Sequence, residues 1–135
     1  MTPADLPRPE RTRHSAPFLD GLAAGRLLLP RCASCQRVAH PAIPRCRHCL
    51  ASEFRWEPAS GIGTLYSHVV IHKSFHPAFT APYEICVIEL DEGPRLIGQL
   101  VGITADQLGT DAPVRVDLEA SGIDGIPLLF VAASE

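Results

Sequence analysis

The stretch Cys32-Ala-Ser-Cys35-Gln-Arg-Val-Ala-His-Pro-Ala-Ile-Pro-Arg-Cys46-Arg-His-Cys49 decides how this chain is read. Its four cysteines form two matched Cys-x-x-Cys pairs separated by ten residues. A thiolate pair two residues apart on a tight turn grips a metal ion from one side. Two such turns face to face complete a tetrahedral S4 cage, the arrangement of a zinc ribbon. Such a cage has no open coordination position, so the metal is expected to hold a shape and not to catalyse. Cys32, Cys35, Cys46 and Cys49 are therefore the expected ligands. Zn2+ is the expected ion, with iron in a rubredoxin-like site as the alternative, because S4 geometry suits both. Cys86, inside Ile85-Cys86-Val87-Ile88, reads as a small buried hydrophobe and not a fifth ligand.

Two disulfides would be the competing use of four cysteines. Residues 1–13 are rich in Pro and Arg and lack an apolar core, so they do not read as a signal peptide. No apolar run approaches membrane-spanning length. The expectation is a cytoplasmic protein without membrane association, and in a reducing cytosol paired Cys-x-x-Cys motifs are metal ligands before they are bridges. A thioredoxin-like motif would need one pair opening a helix in a βαβ unit, and neither pair has that setting.

Working outward, 135 residues make one compact unit or two small ones sharing a surface. A ribbon of about thirty residues buries little core of its own, which makes a metal staple sensible there. The net charge of −3 hides an asymmetry: nine arginines stand against four acids up to residue 55, and three basic residues against eleven acids beyond it. An anion would dock on the ribbon side, although two solvated faces explain the same pattern.

The elements follow from local pattern. Residues 1–14, with Pro3, Pro7 and Pro9 among charges, read as an extended arm. Ser15 is placed to cap a two-turn helix, with Pro17 in its first turn and Gly25 at its end. Phe18 and Leu22 share its apolar face, with Leu19 alongside. A strand over 26–30 leads into the first knuckle, 38–40 returns from it, and 53–57 completes the ribbon sheet. Strands are then expected over 64–72, 83–90, 95–101, 114–119 and 127–132, with a hairpin turn at 91–94, a short helix or turn at 104–108, and a turn at 121–125. Five strands with a small inserted helix fit a five-stranded OB barrel better than a sandwich of about seven. The predicted fold is mainly β: an arm and docking helix (1–29), a rubredoxin-like zinc ribbon (30–58) and an OB-fold domain (59–135).

The order of these pieces resembles a known family. A helix ending in Gly-Leu-Ala-Ala-Gly-Arg-Leu-Leu-Leu (21–29) leads into Cys32-x-x-Cys35, and Gly61-Ile-Gly63-Thr64 and Glu89-Leu90-Asp91-Glu92-Gly93 follow the second pair. This is similar to the zinc-ribbon plus OB-fold proteins called DUF35, over nearly everything from residue 15 onward. The resemblance implies an accessory subunit in a hetero-oligomer. Its relatives look like partners of thiolase-type enzymes: an archaeal acetoacetyl-CoA thiolase assembly, acyltransferases of specialised metabolism, and lipid-transfer-protein-like aldolases that shorten steroid side chains. The partner would carry the nucleophile, and the DUF35 chain would support it and help shape the channel for the acyl-CoA thioester.

The residues themselves offer no catalytic assignment. His68, His72 and His76 recur every fourth residue, yet in a strand four residues span about 13 Å, too far to share an ion. His40 and His48 flank the knuckles but are surplus to a complete cage. No nucleophile elbow, phosphate loop or dinucleotide fingerprint occurs. The irregular stretch 72–83 combines Lys73, Phe75, Phe79 and Tyr83 with two prolines. It suits contact with a partner or a pantetheine arm, or else folds its aromatics onto the core. Phe18, Leu19 and Leu22 serve either the same interface or the chain's own core. Two other functions compete. A nucleic-acid module would use Arg31, Arg37, Arg45, Arg47 and Arg55, but the acidic barrel lacks a dense aromatic platform with basic neighbours. An independent acyl-CoA hydrolase would need a nucleophile–base pair, and none is visible.

Overall fold

The computed structural model describes residue 7, residues 9–119 and residues 128–133. Helix α1 (Ala16–Ala23) begins with Pro17 in its first turn and ends in a Schellman motif. Gly25 takes φ +77°, which costs glycine nothing. Its N–H then reaches the Leu22 carbonyl at 3.0 Å, and the Arg26 N–H reaches that of Gly21 at 2.7 Å. The start differs from expectation. Ser15 is helical in φ and ψ and makes no side-chain cap. Its hydroxyl instead accepts from the Thr12 N–H (2.8 Å) and donates to the Glu10 carbonyl (3.1 Å), closing the turn ahead of the helix.

Strands β1 (Leu28–Cys32) and β2 (Phe54–Pro58) pair antiparallel, Pro30 opposite Trp56 and Cys32 opposite Phe54. The first ribbon strand thus starts and ends two residues later than 26–30, because it runs into the first ligand. The return segment at Val38 makes only an isolated bridge with Arg31.

The barrel comprises β3 (Ile62–Ile71), β4 (Tyr83–Leu90), β5 (Arg95–Leu100), α2 (Ala105–Leu108), β6 (Pro113–Val116) and β7 (Leu129–Ala132). It closes in the order β3-β4-β5-β7-β6. All pairings are antiparallel except β5 with β7, which are parallel through Gln99–Leu129 and Leu100–Phe130. A bulge at Tyr66 interrupts β3 between Leu65 and Ser67 and re-aims the strand. The turn expected at 121–125 lies outside the described residues.

Ribbon and barrel share one core. Leu22 of α1 and Leu27 and Leu29 beside the ribbon join Leu65, Ile88, Leu96, Val114 and Phe130 in one buried cluster. The Ala59 N–H reaches the Leu27 carbonyl at 2.8 Å, and the Glu92 carboxylate accepts from the Ser60 N–H (2.6 Å) and hydroxyl (3.1 Å). Cys86, wholly buried, belongs to the same cluster, and burial pushes its thiol pKa up.

At α2 a capping box forms: the Gln107 N–H donates to Thr104 Oγ1 (3.2 Å) while Gln107 Oε1 accepts from the Thr104 N–H (3.0 Å). Glu84 of β4 accepts from the Ala105 N–H at 3.2 Å, pinning this helix to the barrel. Thr104→Ala is expected to cost about 1 kcal/mol. In urea unfolding the midpoint falls with an unchanged slope, and Thr104→Ser restores it.

Candidate metal centre and the surfaces around it

The two knuckles are the same turn made twice. The Gln36 N–H reaches the Cys32 carbonyl at 2.9 Å and the Leu50 N–H that of Cys46 at 3.0 Å. The Cys32 N–H then reaches the Arg37 carbonyl, and the Cys46 N–H that of Ala51, both at 2.8 Å. Each turn needs a left-handed residue directly after its second cysteine: Gln36 has φ 69° and Leu50 φ 66°. Neither is glycine, so each costs on the order of 1 kcal/mol, tolerated where the surroundings over-determine the conformation. Sequence reading misses both because no glycine marks them.

The four sulfurs lie within 4.8 Å of one another. Cys32 Sγ is 3.5 Å from Cys49 Sγ, and Cys35 Sγ is 3.6 Å from Cys46 Sγ. These separations are far longer than a disulfide, and all four thiols are free. A tetrahedral ion with metal–sulfur bonds of about 2.3 Å requires sulfurs about 3.8 Å apart, so the cage fits a metal. Backbone N–H groups of Cys35 and His48 point at Cys32 Sγ and Cys46 Sγ at 3.5 and 3.4 Å. The Cys49 and His48 N–H groups draw the Cys46 thiol down to about 6, and the Cys35 N–H lowers Cys32. At Cys49 the Ala51 N–H pulls downward most strongly, but the neighbouring sulfurs and burial outweigh it and push the thiol up to about 11. Four thiols this close cannot all ionise alone. A cation that binds them displaces the remaining protons.

The arginines of the ribbon divide into two groups. Arg31 pairs with Glu57 (2.8 Å) and donates to the Gln36 carbonyl (2.6 Å), Arg45 donates to the Leu50 carbonyl (3.1 Å), and Arg55 to Gln36 Oε1 (2.8 Å). These three staple the knuckles. Arg37 and Arg47 are exposed and make no such bond among the described residues.

Of the residues expected at an interface, Leu22 is buried in the core, and Phe18 is half-buried against it with its ring 5.1 Å from that of His40. Leu19 is half-buried. Phe75 is 76% exposed under the Lys73 ammonium, 5.4 Å from its ring centre. Phe79 and Tyr83 sit with ring centres 5.9 Å apart. Both edge a shallow groove of about 230 Å3 completed by Ile85, Ile97, Gln99 and Leu128. The groove continues into a face that sequence reading missed. Across β3, β4 and β5 the outward positions pair as Ile71–Tyr83, Val69–Ile85 and Ser67–Val87–Ile97, with no charge among them. Val69 is 55% and Ile97 65% exposed. The row ends at the Glu89–Arg95 ion pair (3.2 Å), whose guanidinium lies 3.8 Å above the Tyr66 ring. His68 lies 3.5 Å from Asp106, and the four cysteines are the only cluster suited to a metal among the described residues. No helix of those residues is long and apolar enough to cross a membrane.

A four-cysteine ribbon fused through a common core to a closed five-stranded barrel defines a zinc-ribbon/OB-fold protein. Residues 19–55 match the model of the ChsH2 rubredoxin-like zinc ribbon domain, and residues 56–119 that of the ChsH2 C-terminal OB-fold domain. A DUF35 domain-containing scaffold protein of Methanocaldococcus jannaschii is 40% identical over 71% of this chain and 72% of its own length. The chain belongs to the DUF35 family. It is 41% identical, over 84% of its length, to a probable enoyl-CoA hydratase alpha subunit of Thermomonospora curvata. It is 33% identical, over 85%, to the 3-oxo-4,17-pregnadiene-20-carboxyl-CoA hydratase alpha subunit of Mycobacterium tuberculosis. The matches span only 36% and 37% of those two proteins. Among solved structures, a chain of the Ltp2-ChsH2(DUF35) aldolase superposes with TM-score 0.81 at 38% identity, covering 94% of this chain and all of that one. A Sulfolobus solfataricus DUF35 protein at 16% identity and TM-score 0.64, covering 90% of this chain and 86% of its own, shares the fold.

Proposed function

We propose that this chain is a non-catalytic subunit of a thiolase-like or lipid-transfer-protein-like enzyme that makes or cleaves carbon–carbon bonds in acyl-CoA thioesters. The observation that carries the reading is the end-to-end likeness to the DUF35 chain of the Ltp2-ChsH2 aldolase. The scaffold name of the archaeal relative points the same way, and the pregnadiene thioester in the mycobacterial relative's name favours a steroid side chain as the acyl group. The metal is Zn2+ in this reading, held in a reducing cytoplasm where four thiolates bind an ion instead of pairing.

The physical role is preorganisation. A metal-stiffened ribbon and a closed barrel sharing one core lose little conformational freedom on docking, which lowers the entropic cost of assembly. The uncharged face of Val69, Ile85, Val87 and Ile97, with Phe79 and Tyr83 at its edge, is the surface that meets the partner or the pantetheine arm, and the exposed Phe75 is a further contact. The partner supplies the nucleophile.

Co-expression with a thiolase-like protein should give a complex that co-elutes on size exclusion and turns over a thioester that this chain alone leaves untouched. Equal turnover and equal stability of the enzyme with and without this chain would defeat the reading. The paired substitution Val69→Asp and Ile97→Asp should weaken assembly at least about tenfold. Zinc content and melting temperature should hold, because both side chains are exposed in the free chain.

A further inference from the structure

The ribbon packs beside the β4–β5 hairpin without filling the space between them. The resulting cleft, about 480 Å3, is lined by Arg37, His40 and Arg47 on the ribbon side and by Glu89, Glu92 and Arg95 on the barrel side. That volume lies within the usual range for small-molecule sites. Ile43, Phe54 and Pro94 add apolar surface to the same lining.

Charge decides what the cleft accepts. On the barrel side Glu89 is neutralised by Arg95 (3.2 Å); Glu92 keeps its charge but turns its carboxylate to Ser60 (2.6 and 3.1 Å), and Arg37 and Arg47 together outweigh it. Arg37 and Arg47 are the two ribbon arginines that staple nothing, and both face this one space. They are not needed to quiet the cysteine sulfurs, whose hydrogen bonds among the described residues come from backbone N–H groups and neighbouring thiols. Two free guanidiniums beside apolar and aromatic lining match a ligand with phosphate at one end and a ring at the other. We propose that this cleft binds a small phosphorylated ligand of the nucleotide class, with Arg37 and Arg47 on its phosphates and Phe54, Ile43 and Pro94 against its ring. A concave site with two free cations suits a small molecule better than a nucleic-acid strand, which needs a charged track and a row of stacking aromatics. The inference stands apart from the accessory role and holds for the chain alone.

The test titrates the full zinc-loaded chain, 15N-labelled, with ADP, adenosine, inorganic phosphate, coenzyme A and a short single-stranded oligonucleotide. ADP should bind and shift the amides of Val38, His40, Phe54 and Arg95, with affinity falling as salt is raised. Arg37→Ala and Arg47→Ala should each weaken ADP about tenfold, the scale of one charge-assisted hydrogen bond, and leave zinc bound. Adenosine alone should bind more weakly still. Coenzyme A matching or exceeding ADP folds the cleft into the acyl-CoA role already proposed and overturns a separate nucleotide site. Coenzyme A binding more weakly supports it as a free-nucleotide site. Inorganic phosphate binding as tightly as ADP, an oligonucleotide binding more tightly, or amide shifts confined to other surfaces each overturn the proposal. If an alanine variant loses zinc, its lysine counterpart (Arg37→Lys or Arg47→Lys) replaces it, and absent cleft shifts in the unmutated chain overturn the proposal alone.

Discussion

Cys46→Ser releases the metal and unfolds the ribbon. Cys46 is 4% exposed, its carbonyl closes the second knuckle, and its sulfur stands 3.6 Å from that of Cys35. A structural Zn2+ in an isolated finger is worth about 10–16 kcal/mol at neutral pH, and that binding energy is folding energy. With three sulfurs and a poorly donating hydroxyl, most of it is lost. The left-handed backbone at Gln36 and Leu50 then loses what holds it. Elemental analysis should give a metal-to-protein ratio falling from one to near zero, and proteolysis should cut within residues 32–51. A chelator applied to the unaltered chain should reproduce both. Because Leu27 and Leu29 lie in the core shared with the barrel, the melting temperature of the remainder should fall as well. Cys86→Ala supplies the control: it removes a buried thiol, and the metal stays. A metal-free Cys46→Ser chain with an intact, protease-resistant ribbon would contradict this account of the centre.

Phe130→Ala strikes the barrel and spares the metal. Phe130 is wholly buried on β7, beside the residues that close the cylinder. A Cβ placed on Gly98 would stand 2.6 Å from its ring, so the ring fills its space to contact. Truncating a buried phenylalanine costs about 3–5 kcal/mol through lost transfer energy and the cavity left behind. That is a large share of the roughly 5–15 kcal/mol that stabilises an ordinary domain. Urea unfolding should show the midpoint drop, while metal content measured on the folded fraction stays at one. If the variant unfolds at the original midpoint, the ring is not the keystone of the closure. The two substitutions thus separate the supports of the fold, one lying in sulfur and the other in hydrocarbon.

Much of this architecture is written locally. Two Cys-x-x-Cys pairs name their own geometry, and Asp91-Glu-Gly-Pro94 between alternating strands names a hairpin. The barrel follows from counting strands. Features set by tertiary context are not legible. Gln36 and Leu50 carry no mark of their left-handed backbone, because the turn imposes it. Ser15 has the chemistry of a helix cap, yet the preceding turn takes its hydroxyl first. The apolar outer face of β3–β4–β5 emerges only when register lines up Val69, Ile85, Val87 and Ile97, and the bulge at Tyr66 shifts that register by one. The cleft by Arg37 and Arg47 arises where two distant segments stop short of each other, and no window of sequence contains both walls.

The parallel seam between β5 and β7 also bears on how the molecule comes into being. The β3–β4–β5 meander pairs neighbours in the chain and can zip up early, but β7 must travel from some thirty residues away to seat beside β5 at Gln99–Leu129 and Leu100–Phe130. Loop entropy charges for that journey before any contact rewards it, so this pairing is expected to form after the meander. Until then the meander carries an unsealed flank, an unpaired strand edge open to other chains.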